Sequence, residues 1–334
     1  LMVLSMVFSL ALVAVGKTYL VALSPLVVAL ETVDFDEALL NGMLGALLFA
    51  GALHINVNDL RDNRRIIALL ATVGVVMSTA LVGLGSWLLF SGLGLGVPLV
   101  ACVLFGSLIS PTDPIAVGAI LRKAGVPRSL LVKITGESLF NDGVGVVLFL
   151  LVLQVSGAGH GHAELSAAGV LNLLAVEVLG GLAFGGILGW LVYRMLKAVD
   201  AYQVEILLTL ALVTGGYALA QALHVSGPLA MVVAGLLIGN HGRALAMSER
   251  TVGHLDSFWE LADEFLNSVL FVMIGVEVLL LDLDLDYLVA GLLAIPIVLL
   301  ARLISVGLPV QALRRIRPFS AHAVKILTWS GLRG

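Results

Sequence analysis

Apolar runs of about twenty residues recur along the whole chain, each long enough to cross a ~30 Å hydrocarbon core. Inside a bilayer the backbone must satisfy its own polar groups, and runs of this length do so as helices. Composition agrees: 60% of the residues are hydrophobic and 12% charged, against roughly a quarter charged in soluble domains. The expected class is an all-α polytopic membrane protein in which residues 1–334 form one transmembrane domain. A nucleic-acid partner and a soluble enzyme are excluded on the same ground. The formal net charge of −4 decides little, because sign matters here by location. The single cysteine, Cys102, rules out an internal disulfide framework and reads as a small buried apolar residue.

Spans are expected at roughly 1–16, 37–55, 66–91, 97–121, 130–155, 165–193, 202–222, 225–240, 258–281, 287–313 and from 320 onward, about eleven in all. Segment 17–36, with Glu31, Asp34 and Asp36 near its end, reads as interfacial. Leu1 opens inside an apolar run and Gly334 closes inside another, so both ends are expected to be cut. Basic residues test the topology. Arg61, Arg64 and Arg65, then Arg122, Lys123, Arg128 and Lys133, then Arg194 and Lys197, then Arg243 and Arg250, then Arg314, Arg315, Arg317 and Lys325 fall on every second connector. The alternate connectors carry none. Fifteen of the 18 basic residues therefore share one face, which the positive-inside rule makes cytoplasmic in a cell membrane. The exceptions are Lys17, Arg302 and Arg333. In Gly181-Leu-Ala-Phe-Gly185-Gly-Ile-Leu-Gly189, small residues repeat at i+4 and permit close helix approach, within the chain or between subunits.

Two carboxylates sit inside consecutive apolar spans. Charges at that depth are costly and mark function. Asp113 lies in Ser110-Pro111-Thr112-Asp113-Pro114, and Asp142 in Gly136-Glu137-Ser138-Leu139-Phe140-Asn141-Asp142. On a helix, Glu137, Ser138, Asn141 and Asp142 share one face. That stripe offers the oxygen ligands a hard cation takes. Pro111 and Pro114 each remove a backbone donor and disfavour helix at the preceding residue. The helix is expected to break there, freeing carbonyls at membrane depth as secondary transporters do. Asp113 also suits the cap of a second half-helix. Arg302 lies too deep in its span to snorkel and needs a partner, for which Glu137 is preferred; alternatively Glu137 itself holds the ion. Arg333, in Gly331-Leu332-Arg333-Gly334, lies in a glycine-flanked stretch able to form a second interruption.

Taken in order, Thr112-Asp113-Pro114, Gly136–Asp142, Phe258-Trp259-Glu260-Leu261-Ala262-Asp263-Glu264, Ala301-Arg302 and Gly331–Gly334 resemble the sodium/proton exchangers of the monovalent cation:proton antiporter superfamily. The resemblance covers nearly the whole chain. It implies inverted repeats and two crossed, interrupted helices, one holding Thr112-Asp113 and the other Gly331, Arg333 and Gly334. It also implies a core at about 66–155 and 287–334 and a dimerisation part at about 1–55 and 165–281, so a homodimer is the expected assembly. Half of the second interrupted helix, a final span and an N-terminal span would then be missing. At matching positions, Asp142 would bind cation or proton, with Ser138 and the Thr112 carbonyl completing a sodium site. Glu137 would bridge to Arg302. Asn141-Asp142 resembles the electroneutral branch. Ala50 stands where some relatives carry a glutamate. His54, one turn on, is either structural or a proton-sensitive neighbour.

Burial favours the neutral form of a carboxylate, so proton and cation compete for one site. If only the neutralised site crosses apolar surface, one proton exchanges for one monovalent cation, sodium before lithium or potassium. No cofactor is needed beyond the transported ions. A channel would want a continuous polar path, whereas the polar residues cluster at one depth. An intramembrane hydrolase using Ser138 lacks a midplane base, because His54, His224, His241, His254 and His322 fall near span ends. Asp263 and Glu264 read as first-turn carboxylates suited to the helix dipole; the resemblance suggests an inner funnel for them. His160-Gly161-His162 and Asp282, Asp284 and Asp286 read as solvated external groups.

Overall fold

A computed structural model describes residues 42–112, 121, 125–156, 167–280, 285–314 and 322–331. Among these the chain is helical throughout, with short connectors: α1 Leu44–Leu53, α2 Val57–Leu69, α3 Val75–Gly92, α4 Leu99–Ile109, α5 Arg128–Val155, α6 Ala167–Leu196, α7 Tyr202–Ala222, α8 Gly227–Leu237, α9 Glu249–Leu280, α10 Leu285–Arg314 and α11 Ala323–Trp329. A π-helical turn, Leu70–Gly74, joins α2 to α3, and another, Ile238–Gly242, extends α8 to Leu245. Among the described residues five helices are long and apolar enough to cross a membrane: Val57–Gly92, Arg128–Val155, Ala175–Leu196, Tyr202–Ala222 and Leu285–Arg314. Large apolar side chains such as Leu179, Ile187, Leu207 and Leu292 are exposed on the outside, as lipid contact requires. The expected span at 1–16 and the interfacial piece at 17–36 lie outside the described residues, as do His160, His162, Asp282 and Asp284.

Two helices start earlier than hydropathy indicates. The stretch 57–65, expected as a basic connector, is the first part of α2. Asn56 caps it, its side chain accepting from the Asn58 amide at 2.9 Å. Asp59 sits in the first turn, where the helix dipole favours an anion, and pairs with Arg128 at 2.7 Å. The helix therefore continues beyond its apolar part, because capping rather than hydropathy sets its start. Likewise α9 begins at Glu249 rather than near 258. Asp263 and Glu264 consequently lie about four turns into the helix, so the first-turn dipole reading does not apply to them.

The apolar interior divides in two. One cluster joins α1, α6, α7, α8 and α9 through Phe49, Leu196, Leu212, Met231 and Trp259. Trp259 is buried there, its indole N–H donating to Thr209 Oγ1 at 3.1 Å and its ring 4.8 Å from that of Phe49. The other cluster joins α2, α5, α10 and α11 through Leu60, Ile134, Val306 and Leu327. A smaller set, Leu48, Ala52, Leu139 and Val232, connects α1 and α8 to α5. The small-residue stripe on α6 packs within the chain. Cβ positions on Gly181 and Gly189 would lie 2.7 Å from the Ser226 carbonyl oxygen and 3.0 Å from Ala234 Cα, on or just before α8.

Candidate functional site

The site forms where α4 and α11 both stop. Helix α4 ends at Ile109, and Pro111 and Thr112 lie beyond it, in keeping with the donor that proline removes. Ser110 fastens this end. Its hydroxyl is 2.6 Å from the Gly106 carbonyl, to which it can donate, and 3.0 Å from the Ser78 hydroxyl on α3. Pro111 packs against α5 at Gly145, where any Cβ would collide with its ring. Thr112 is thereby held, buried, against the polar face of α5.

On α5, Glu137, Ser138 and Asn141 are buried and Asp142 is half-buried. The Asn141 amide donates to Thr112 Oγ1 at 2.9 Å. Its own carbonyl oxygen, Oδ1, is buried with no hydrogen-bond partner among the described residues. Buried acceptors are rarely left in this state, and each calls for an explanation. Glu137 lies one turn away. Its Oε1 is 2.7 Å from Arg302 Nη1, with the two side chains 1% and 7% exposed. Taking both charges out of solvent is costly, and only their mutual attraction makes it tolerable.

Arg302 ties three helices together. Besides Glu137 on α5, its Nη2 donates to the Leu327 carbonyl at 3.4 Å, while the Ser330 hydroxyl donates to that same carbonyl at 3.0 Å. Helix α11 ends at Trp329, and Ser330 and Gly331 form a turn. A Cβ on Gly331 would lie 2.5 Å from Arg302 Nε and 3.0 Å from Thr112 Cγ2. A side chain there would force Arg302 to shift. The helix ends at Pro111-Thr112 and at Gly331 therefore meet beside one buried ion pair.

The structure thus brings together Thr112, Glu137, Asn141, Arg302 and Gly331, with Ser138 and Asp142 on the same helix. Asp113, Arg333 and Gly334 lie outside the described residues. Asp263 is half-buried and Glu264 exposed on α9. His54 caps α1: its Nδ1 is 3.0 Å from the Ala50 carbonyl oxygen and its Nε2 is 3.7 Å from Asp256, which also pairs with Arg243. Sequence reasoning passed over Ser78, which stands beside Thr79 in an apolar helix, and Asn240, which stands beside His241 at the end of one.

The family described as sodium/hydrogen exchanger, transmembrane, matches residues 2–334. The chain is 48% identical over 309 residues to the Na(+)/H(+) antiporter NhaP of Pseudomonas aeruginosa, covering 91% of this chain and 72% of that protein. It is 34% identical over 312 residues to the Na(+)/H(+) antiporter NhaG of Bacillus atrophaeus, covering 90% of this chain and 55% of that one. Its fold superposes with a TM-score of 0.72 on the sodium proton antiporter MjNhaP1 from Methanocaldococcus jannaschii at pH 8, with 20% identity over 92% of this chain and 71% of the other. The all-helical architecture is thus that antiporter fold. A chain matched over this length, with two helix ends meeting at a buried polar face, belongs to the sodium/hydrogen exchanger family of membrane transporters.

Proposed function

We propose that the protein exchanges sodium for protons across the cell membrane, one for one, at a site centred on Asp142. The observation that carries this reading is Asn141 Oδ1, a buried oxygen acceptor with no hydrogen-bond partner among the described residues, beside Thr112 and next in sequence to Asp142. A hard monovalent cation takes oxygen ligands, and the Asp142 carboxylate, the Ser138 hydroxyl, Asn141 Oδ1 and the Thr112 backbone carbonyl supply them. The names of the relatives support sodium and proton as the exchanged pair.

Each group has a distinct task. Asp142 carries the charge that either ion neutralises. Glu137 is held by Arg302 and is therefore not free to carry a second positive ion. With one exchangeable carboxylate, the loaded site is neutral with either cargo, and exchange moves no net charge. An unloaded carboxylate crossing apolar surface would meet the full cost of a bare ion in hydrocarbon, so the empty site stays put. Coupling follows from that cost. The conformational step is a displacement of the α2/α5/α10/α11 cluster against the α1/α6/α7/α8/α9 cluster, which exposes the site alternately to each side. The second cluster is proposed as the scaffold and homodimer surface, with the basic connectors facing the cytoplasm.

In everted membrane vesicles carrying an imposed proton gradient, sodium should trigger fluorescence dequenching with the wild-type protein and none with Asp142→Asn. Undiminished exchange by that variant would overturn the assignment of the shared carboxylate.

A further inference from the structure

We propose that Asn240 is a positioning residue for the conformational step, clasping the hinge between the two helix clusters. This rests on the reading that those clusters move against each other.

Helix α1, in one cluster, ends at Leu53, and α2, in the other, begins at Val57. Three residues, His54-Ile55-Asn56, make the whole connection. Such a junction leaves helix-end backbone groups without intrahelical partners. Asn56 satisfies one, the Asn58 amide, as the cap of α2. Asn240 satisfies two more from across the fold. Its Oδ1 accepts from the Val57 amide at 2.9 Å, and its Nδ2 donates to the Ile55 carbonyl at 2.9 Å. The same Nδ2 reaches the Leu236 carbonyl of its own helix at 2.8 Å, which fixes the side-chain rotamer. One planar amide thus holds both sides of the junction from the extension of α8, on the α1 side.

The local backbone is built for this contact. Asn240 sits within the π-helical turn Ile238–Gly242, a distortion of the kind that gathers at functional positions. The preceding residue, Gly239, lets that turn lie directly against the end of α1; any Cβ there would collide with the Leu53 carbonyl. A cavity of about 620 Å³ adjoins the clasp, lined by Asn56, Gly239, Asn240, Arg243, Met247 and Glu249 among others. It leaves room for the junction to swing and lets water reach the amide. Among the described residues, the charged or titratable groups around this end include Arg243 and Glu249 at the cavity, Asp256 and His54 behind Arg243, His241 beside Asn240, and Asp59 in the first turn of α2, paired with Arg128.

A pivot held in this way confines the motion to rotation about Ile55–Val57 rather than fraying of two helix ends. Asn240 touches none of the proposed cation ligands, so its loss should alter the rate of the motion and leave cation affinity alone. The test is sodium–proton exchange by the full chain in proteoliposomes. Asn240→Leu removes both half-buried bonds to the junction and should lower the maximal rate about ten-fold, with the apparent KM for sodium within about two-fold of wild type. Asn240→Asp separates this role from a merely structural one. Its carboxylate keeps the acceptor for Val57 but opposes the Ile55 carbonyl, whereas the protonated acid can donate to it. The rate of this variant relative to wild type should therefore rise as pH is lowered. An unchanged rate in Asn240→Leu, a raised KM, or a flat pH ratio in Asn240→Asp would overturn the proposal. If Asn240→Leu fails to accumulate in the membrane, the pH ratio of Asn240→Asp decides alone. A wild-type protein that exchanges no cation for protons would instead defeat the underlying reading of function.

Discussion

The buried pair Glu137–Arg302 allows the most quantitative test of how the site is organised. Replacing Glu137 with leucine strands the Arg302 guanidinium, whose side chain is 7% exposed and whose other hydrogen bond, to the Leu327 carbonyl, is long at 3.4 Å. Replacing Arg302 with methionine strands the Glu137 carboxylate, which is 1% exposed. Breaking one side of such a pair costs about 3–5 kcal/mol, because the remaining charge stays buried without compensation. Each single variant should therefore melt roughly 10 °C below wild type in detergent, using the usual ratio of melting shift to free energy for larger domains. The double variant buries neither charge. Its loss should be clearly less than that of either single variant, since well-packed apolar replacements of a buried pair are often neutral. A thermal-shift series on the four proteins reads the coupling directly. If the two losses simply add within about 0.5 kcal/mol, the residues are not energetically coupled and the 2.7 Å contact does not organise the site.

Two further substitutions probe the meeting of the helix ends. Gly331→Ala places a methyl group 2.5 Å from Arg302 Nε, so the arginine must shift. Overpacking of this kind costs about 1–3 kcal/mol, and both melting temperature and exchange rate should fall; a variant indistinguishable from wild type in both would show that the turn does not press on Arg302. Asn141→Leu removes the buried Oδ1 acceptor and the bond to Thr112 together. It should raise the sodium KM about ten-fold or more, and an unchanged KM in a dequenching titration would remove Asn141 from the ligand set.

Much of this was legible in the sequence, for identifiable reasons. A polar stripe on an apolar helix has one physical explanation, so the face bearing Glu137, Ser138, Asn141 and Asp142 could be drawn before any coordinates. The proline pair marked the end of α4 because a missing donor is a local property of the chain. Arg302 demanded a carboxylate partner for the same reason that buried charge is costly anywhere. What could not be read depends on distant backbone. Asn240 bonds to the junction 183 and 185 residues away through main-chain groups, which carry no residue-type signal. The helical starts at Val57 and Glu249 were hidden because hydropathy tracks the bilayer and not the helix. Whether the small-residue stripe on α6 served the chain itself or another subunit was open until α8 was seen against it.

A site with one exchangeable carboxylate is tested most directly by the reversal of flux. In proteoliposomes clamped with potassium and valinomycin, net sodium movement should vanish whenever the sodium and proton concentration ratios across the membrane are equal. That null point should stay fixed as the membrane potential is varied. A null point that shifts with potential would mean that exchange moves net charge, and would contradict the assignment of Asp142 as the one carrier with Glu137 locked by Arg302.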